Sequence, residues 1–245
     1  DGAVVGWLEM GFPNRENLHF AWADLVVRPG HRRRGIGTAL LERFIARSRA
    51  DGRTDLCLEA RMPWEDGPVP GGGGREFLER RGFKLALTSV NRRCRVDALE
   101  KSEEDRLSAE ALHAAEAYEL RQWIGPTPDD LLASMCRMKS MMLAEIPLGG
   151  LDLEVETVGA EQLRAEEAVH EAEGRIHVTS VALAPSSGEV VAWSHIAVDD
   201  GPYLAAHQGI TLVDPAHRGH RLGLFTKLAN LRLLRERFPH VTEIW

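Results

Sequence analysis

The feature that most constrains this chain is its likeness to itself. Shifted by 186 positions, the sequence matches without a gap. Val4-Val5-Gly6-Trp7 falls on Val190-Val191-Ala192-Trp193, and Val27, Pro29, His31, Arg32 and Gly37 fall on Val213, Pro215, His217, Arg218 and Gly223. Further on, Leu58 falls on Ile244. Trp, His and Pro are uncommon residues, and the agreement runs from an apolar stretch through a turn into an amphipathic one. A duplicated structural unit is therefore the reading. Duplication within 245 residues implies two domains of ordinary size rather than one large core.

Each copy reads strand, strand, turn, helix, strand. Ala3–Met10 and Phe20–Val27 are rich in β-formers, and Pro29 cannot continue a ladder. Leu40, Leu41, Phe44 and Ile45 share one face of a helix predicted over Thr38–Arg49, and Leu56–Ala60 is the next strand. The second copy has strands near Val190–Val198 and Gly209–Val213, a helix from about Leu224 to Arg237 and a strand opening at Val241. The first copy continues through a Gly/Pro loop (Gly67–Gly74), a short helix (Arg75–Arg81) and a strand (Phe83–Val96). The second is preceded by a strand (Tyr118–Trp123), a helix capped by Thr127 with Pro128 at its first position, a helix (Glu161–Glu173) and a strand (Arg175–Leu183). Between them, Leu99–Ala117 reads as a helical, solvated linker with Ser102 and Asp105 as a capping pair.

The predicted fold is thus α/β with mixed sheets, in two tandem domains. Residues 1–97 form one domain lacking its opening elements, 98–117 a linker, and 118–245 a second domain lacking its closing elements. Net charge is −7, which disfavours a general nucleic-acid binder, since such binders need a basic face. The local cluster Arg28, Arg32, Arg33 and Arg34 keeps that class only as a weak alternative. No apolar run approaches the roughly 20 residues needed to cross a bilayer. Cys57, Cys94 and Cys136 are scattered and odd in number, which fits a reduced cytoplasmic compartment.

The chemistry concentrates at His31-Arg32-Arg33-Arg34-Gly35-Ile36-Gly37. This turn leaves a strand and enters a helix N-terminus, where backbone N–H groups lack intrahelical partners and attract an anion. Gly35 and Gly37 permit positive φ and close approach of the backbone, and the arginines are bidentate phosphate donors. A pyrophosphate satisfies all three features. A P-loop needs a lysine before Thr38, and a dinucleotide fingerprint needs glycine at position 40, which is Leu40.

Leu25-Val26-Val27-Arg28-Pro29 running into Arg32-x-x-Gly35-x-Gly37 resembles the acetyl-CoA motif of the GNAT acetyltransferases. Phe77–Phe83 resembles that family's last helix and Gly-Phe turn, and Thr211–Pro215 running into Arg218–Gly223 resembles the same acetyl-CoA motif again. The resemblance implies acetyl-CoA as co-substrate and direct transfer of an acyl group to an amine of a small molecule or peptide. It places coenzyme A on Val27, Arg32, Arg33, Arg34, Gly35, Ile36, Gly37 and Thr38 in the first copy. In the second it uses Val213, Arg218, Gly219, His220, Arg221, Leu222 and Gly223. An N–H near Val27 or Val213 would be the oxyanion donor.

Asp24 and His207 are the candidate bases, with His195 beside them. Leu78 stands where the family commonly has a proton-donating tyrosine, so the first copy is expected to bind and the second to react. The alternative function is a non-catalytic acyl-CoA sensor or scaffold. Met135, Met138, Met141 and Met142 read as core packing or as the floor of an apolar acceptor site. His170-Glu171 lacks the second histidine of a zinc helix, so no metal site is expected.

Overall fold

The computed structural model describes residues 2–62, 73–155, 157–199, 201 and 205–245. Most of the expected Gly67–Gly74 loop lies outside them. The chain divides into two compact units, Asp1–Thr88 with Pro147–Glu154, and Ser89–Ile146 with Val155–Trp245.

In the first unit, β1 (Gly6–Gly11) and β2 (Phe20–Val27) pair antiparallel with Gly6 opposite Val27, and β3 (Asp55–Leu58) runs parallel to β2. Helix α1 (Ile36–Ala50) covers one face of this sheet, and α2 (Gly74–Glu79) follows. Strand alternation turns the small Ala21 and Ala23 inward, which admits the fully buried Leu41 and Phe44 of α1. Leu78 packs against this same cluster. The opposite face carries the exposed Trp7, Trp22 and Val26. The Pro147–Glu154 segment is tied into this unit by Asn17, which donates to the Glu154 carbonyl (3.1 Å) and accepts from its N–H (2.6 Å).

The second unit contains β4 (Cys94–Arg95), α3 (Lys101–Ala114), β5 (Glu119–Ile124), α4 (Leu132–Glu145), α5 (Ala160–Ala172), β6 (Arg175–Leu183), β7 (Val190–Asp199), β8 (Ala205–Val213), α6 (Leu222–Arg237) and β9 (Glu243–Ile244). Its sheet has the order β4-β9-β8-β7-β6-β5, antiparallel except for the parallel β8–β9 pair. Helices pack on both faces, so most of β6 and nearly all of β7 are buried. On one face, Met135 and Met138 of α4 and Leu163 of α5 meet Val181, Trp193 and Leu212. On the other, Leu222, Phe225 and Leu234 of α6 meet the sheet. Met135 and Met138 are therefore core. Trp193, exposed in its first-copy counterpart Trp7, is buried here under α4 and α5.

Four local expectations are corrected. Residues 84–93 form no strand, and only Cys94–Arg95 finds a partner, in β9; Leu85, Leu87 and Val90 cannot make a ladder without one, and all three are exposed. Ser102 is no cap, since α3 starts from Glu100. Thr127 caps no helix either: its N–H and carbonyl are taken by Glu167 and Arg164, and a short turn at Asp129–Leu131 precedes α4.

The helix expected as a solvated linker is built into the second unit. Glu104 of α3 is buried and paired with Arg232 (2.8 Å) and Arg235 of α6, and Ser108 accepts from Arg232 (2.7 Å). Desolvation pushes the Glu104 carboxyl up, but the two guanidinium hydrogen bonds outweigh it and hold the carboxyl below its usual range.

Candidate active site

The two turns superpose in kind, residue for residue. Each strand ends in a short 3-10 turn, Pro29–His31 or Pro215–His217, and the helix then starts at Ile36 or Leu222. Neither helix has a side-chain cap. The ladder of α1 opens with Ala39 N–H on the Gly35 carbonyl (3.0 Å), and that of α6 with Phe225 N–H on the Arg221 carbonyl (3.0 Å). The N–H groups of Ile36, Gly37 and Thr38, and of Leu222, Gly223 and Leu224, thus have no intrahelical acceptor. Unpartnered N–H groups of this kind at a helix start favour an anion.

The backbone reaches these turns through two left-handed residues: Arg33 (φ 62°) and Gly35 (φ 84°) in the first copy, Gly219 (φ 90°) and Arg221 (φ 52°) in the second. The copies exchange glycine and arginine between equivalent positions and keep one backbone. Gly37 is not left-handed, contrary to the expectation from sequence. A Cβ there would face Phe77 (3.6 Å) and Val27 (3.7 Å), and at Gly223 it would face Thr211 (3.6 Å) and Val213 (3.7 Å). These glycines let the helix sit close to the strand, and their missing side chains point inward, away from an anion. The Leu222 side chain is likewise buried, leaving only its backbone for a ligand.

The first sheet also opens where a ligand would extend: β3 pairs with β2 only over Phe20–Ala23, although residues 59–62 follow it. Arg28 and Asp214 turn their N–H groups onto Val5 and Val191 (2.9 Å each). Alternation therefore aims the N–H group of Val27 at the open edge, and that of Val213 away from β7. Splayed parallel strands beside an uncapped helix start can accept an extended, phosphate-bearing ligand such as coenzyme A.

Residues 1–63 match the acetyltransferase (GNAT) family. A mycothiol acetyltransferase of Geodermatophilus obscurus is 36% identical over 93 residues, a match covering 38% of this chain and 26% of that relative. The chain thus spans about a quarter of that curated relative's length. A GCN5-related N-acetyltransferase of Sphaerobacter thermophilus shares the fold, with a TM-score of 0.58 at 14% identity over 98% of this chain and 66% of that one. A tandem GNAT protein from the clavulanic acid biosynthesis pathway superposes with a TM-score of 0.74 at 24% identity, covering 99% of this chain and 70% of that one. The chain is a tandem GNAT-fold protein.

The two copies differ in three ways. The first is the commitment of the turn's cations. In the first copy Arg32 donates to the Val27 carbonyl (3.0 Å), while Arg33 and Arg34 have no hydrogen bond or ion pair among the described residues. In the second, Arg218 is held by Glu145 and Arg221 by Glu110 (3.2 Å). Tyr118 braces this second turn through His217 (3.1 Å), with His220 against its ring.

The second difference is a guanidinium that sequence reasoning missed. Arg81, after α2, stacks on Phe77 (3.9 Å) and donates to Thr38 (2.7 Å) at the start of α1. Its signal was the Arg80-Arg81-Gly82-Phe83 run, whose turn carries Gly82 at φ 87°. Arg81 adds a fourth cation, beside Arg32, Arg33 and Arg34, to the first copy's turn.

The third difference lies in the strands. β1 and β2 pair without a break from Gly6 to Gly11. In the second copy, pairing passes from Ser194–Thr211 to Ile196–Gln208, so β8 spends one residue more than β7. Gly209 and Ile210 form this bulge. The His195 ring lies on Gly209: an added Cβ would come within 2.0 Å of Nε2.

Of the candidate bases, Asp24 is exposed, directly across from Glu9. His207 is exposed too, with Nε2 3.9 Å from Asp199. His195 instead is mostly enclosed, and burial, then His177, drives its imidazole down to about 3. No group of metal-binding side chains occurs among the described residues. No helix among them is long and apolar enough to cross a membrane.

Proposed function

We propose that this chain takes part in acyl transfer from coenzyme A to an amine of a small molecule or peptide, with the second copy reacting and the first binding. The observation that carries this reading is the bulge at Gly209–Ile210, present in one copy and absent from the other. A bulge frees backbone N–H groups from the ladder. Those groups can serve as fixed donors to a carbonyl oxygen, and removal of one such donor typically costs ~10²–10³ in rate.

Coenzyme A, when bound, supplies the acyl group as a thioester. The chain's own residues do the rest. The N–H groups of Leu222, Gly223 and Leu224 with Arg218 and His220 would hold the pyrophosphate of the second copy. Ile36, Gly37, Thr38, Arg33, Arg34 and Arg81 would hold that of the first. Val213 and the bulge would orient the acyl end, and His195 or His207 would receive the amine's proton. Acetyl is the proposed acyl group, and the cytoplasm the proposed compartment.

A second reading, a non-catalytic acyl-CoA-binding module, is favoured for the first copy by its uninterrupted β1–β2 pairing and by Leu78 in its core. One experiment separates the roles. Exposed charges are reversed in pairs, Arg33→Asp with Arg34→Glu, and Arg218→Glu with Arg221→Asp, since aspartate tolerates the left-handed turn at Arg33 and Arg221. Acetyl-CoA binding is followed by calorimetry, and thiol release is followed with a panel of amino sugars, amino acids and peptides. The first pair should remove one binding site and keep transfer; the second should end transfer. Acetyl-CoA binding without thiol release above the protein-free rate for any amine would replace the enzyme reading with the binding one.

A further inference from the structure

At the repeat offset of 186 residues, one row of the second copy's core differs in kind from its counterpart. Leu8 of β1 lies directly across from Leu25 of β2, and Phe44 of α1 belongs to the same apolar cluster. The equivalent residues of the second copy are Ser194, Thr211 and Asn230. Ser194 and Thr211 again lie directly across from each other, and Ser194 and Asn230 are fully buried. One fold is thus built on an apolar row in one copy and a polar row in the other. Burying hydroxyls and a carboxamide carries a desolvation cost that leucine and phenylalanine do not incur, so stability does not account for the exchange.

The polar groups form one connected network that ends at the bulge. Ser180 of β6, across from Ser194, accepts from Gln122 of β5 (2.8 Å) and donates to Asn230 Oδ1 (2.6 Å). Asn230 donates to the Ser194 carbonyl (2.7 Å), and the Ser194 and Thr211 hydroxyls share a hydrogen bond (3.0 Å). Gln208 completes the network from the other side of Gly209 and Ile210. Its Nε2 donates to the His195 carbonyl (2.8 Å), with the Gly209 carbonyl (3.2 Å) and the Ser194 hydroxyl (3.4 Å) also in reach. Gln208 and Thr211 flank the bulge, while Ser194 and His195 face it across the ladder.

We propose that Gln208, Ser194 and Asn230 are positioning residues, which hold the Gly209–Ile210 bulge in the geometry that aims its N–H groups at the acyl carbonyl. The inference rests on the second copy being the reacting one and on the bulge as its donor. A bulge leaves backbone groups without ladder partners, and a strand whose register is weakly specified slips. The Gln208 carboxamide takes up one backbone carbonyl at the bulge and joins it to the buried row. Asn230 joins that row to α6, the helix that starts at the second turn. Thr211 meets the same helix again, since a Cβ at Gly223 would lie 3.6 Å from its methyl group. The network therefore fixes the bulge relative to the turn, and with it the acyl end of the ligand relative to the pyrophosphate.

The test uses Gln208→Met and Asn230→Leu, which keep side-chain size and remove the hydrogen bonds. Gln208 is half-buried, so its variant guards against misfolding of the fully buried one. In each, kcat for transfer should fall about 10–100-fold, while KM and the dissociation constant for acetyl-CoA stay within about twofold, because the turn is untouched. With ¹⁵N-glycine labelling, hydrogen exchange of the Gly209 amide should quicken about tenfold and that of Gly223 should not, the mark of a local rather than a global opening. Unchanged kcat or unchanged Gly209 exchange in Gln208→Met overturns the proposal. So does a fall in kcat accompanied by an equal loss of acetyl-CoA affinity and faster exchange at both glycines, which would make these residues supports of the whole fold.

Turnover of the turn variant separates this failure from that of the functional reading. If Arg218→Glu with Arg221→Asp ends transfer while Gln208→Met leaves kcat untouched, the second copy reacts without this support. If the turn variant keeps full transfer, the reacting copy was misassigned and the positioning role falls with it.

Discussion

Glu104→Ala is the sharpest check on how the second unit is assembled. The substitution deletes the carboxylate that joins α3 to Arg232 and Arg235 of α6. Removing one partner of a fully buried ion pair costs about 3–5 kcal/mol, because an uncompensated charge remains inside. Here the cost is smaller. Arg232 keeps Ser108 (2.7 Å), Arg235 keeps the Val96 carbonyl (3.0 Å), and the two side chains are 46% and 31% exposed, so water screens them. We expect a loss of about 2 kcal/mol for Glu104→Ala, and about half that for Glu104→Gln, which preserves shape and one acceptor. For a chain of this length that is a fall of roughly 4–8 °C in melting temperature.

Urea unfolding followed by tryptophan fluorescence measures the difference, and hydrogen exchange localises it. Protection should fall along Lys101–Ala114 first. A change under about 0.5 kcal/mol, the range of an ordinary surface substitution, with undiminished protection of that helix, would refute the docking of α3 through Glu104.

Further outcomes follow from other sites. Unfolded imidazoles take up protons near 6.5, before His177 and His195 do in the fold, so their contribution to stability is full above pH 6.5 and is lost as pH falls toward 4 and 3. His177→Phe with His195→Phe should flatten the stability–pH slope between 6.5 and 4, and an unaltered slope would contradict the burial. Gly35→Ala, at φ 84°, should cost about 1–2 kcal/mol. Gly37→Ala meets only ordinary contacts and should be neutral or stabilising by up to ~1 kcal/mol; thermal melts that reverse this order would undo the account of the turn. Arg221→Gly should gain stability by releasing a left-handed side chain, less its Glu110 ion pair, and a clear loss in the same melts would count against strain at that position. Arg81→Ala should weaken acetyl-CoA binding to the first copy severalfold by calorimetry, whereas unchanged affinity would remove Arg81 from the turn.

Much of the architecture was legible in the residues because its causes are local. Strand alternation in Phe20–Val27, the apolar face of α1 and the Pro29 stop each act within a few residues. The repeat then carried them to Gly209–Val213 and about Leu224–Arg237, which the structure begins at Ala205 and Leu222. The turn's composition pointed to an anion for the same reason, since uncapped N–H groups and nearby arginines belong to one short segment. What the residues left open depends on partners far away in sequence. Whether Phe83–Val96 forms a strand depends on a partner strand distant in sequence, and whether Glu104 is solvated or buried on α6, more than a hundred residues on. The direction of Gly37's missing side chain is set by Phe77 and Val27, and the sharing of left-handed turns between glycine and arginine by the backbone both copies must follow. The bulge at Gly209 and the row of Ser180, Ser194, Thr211 and Asn230 arise only when β6, β7, β8 and α6 are in register. Register is a relation between segments, fixed by the packing of whole faces, and no single segment carries it.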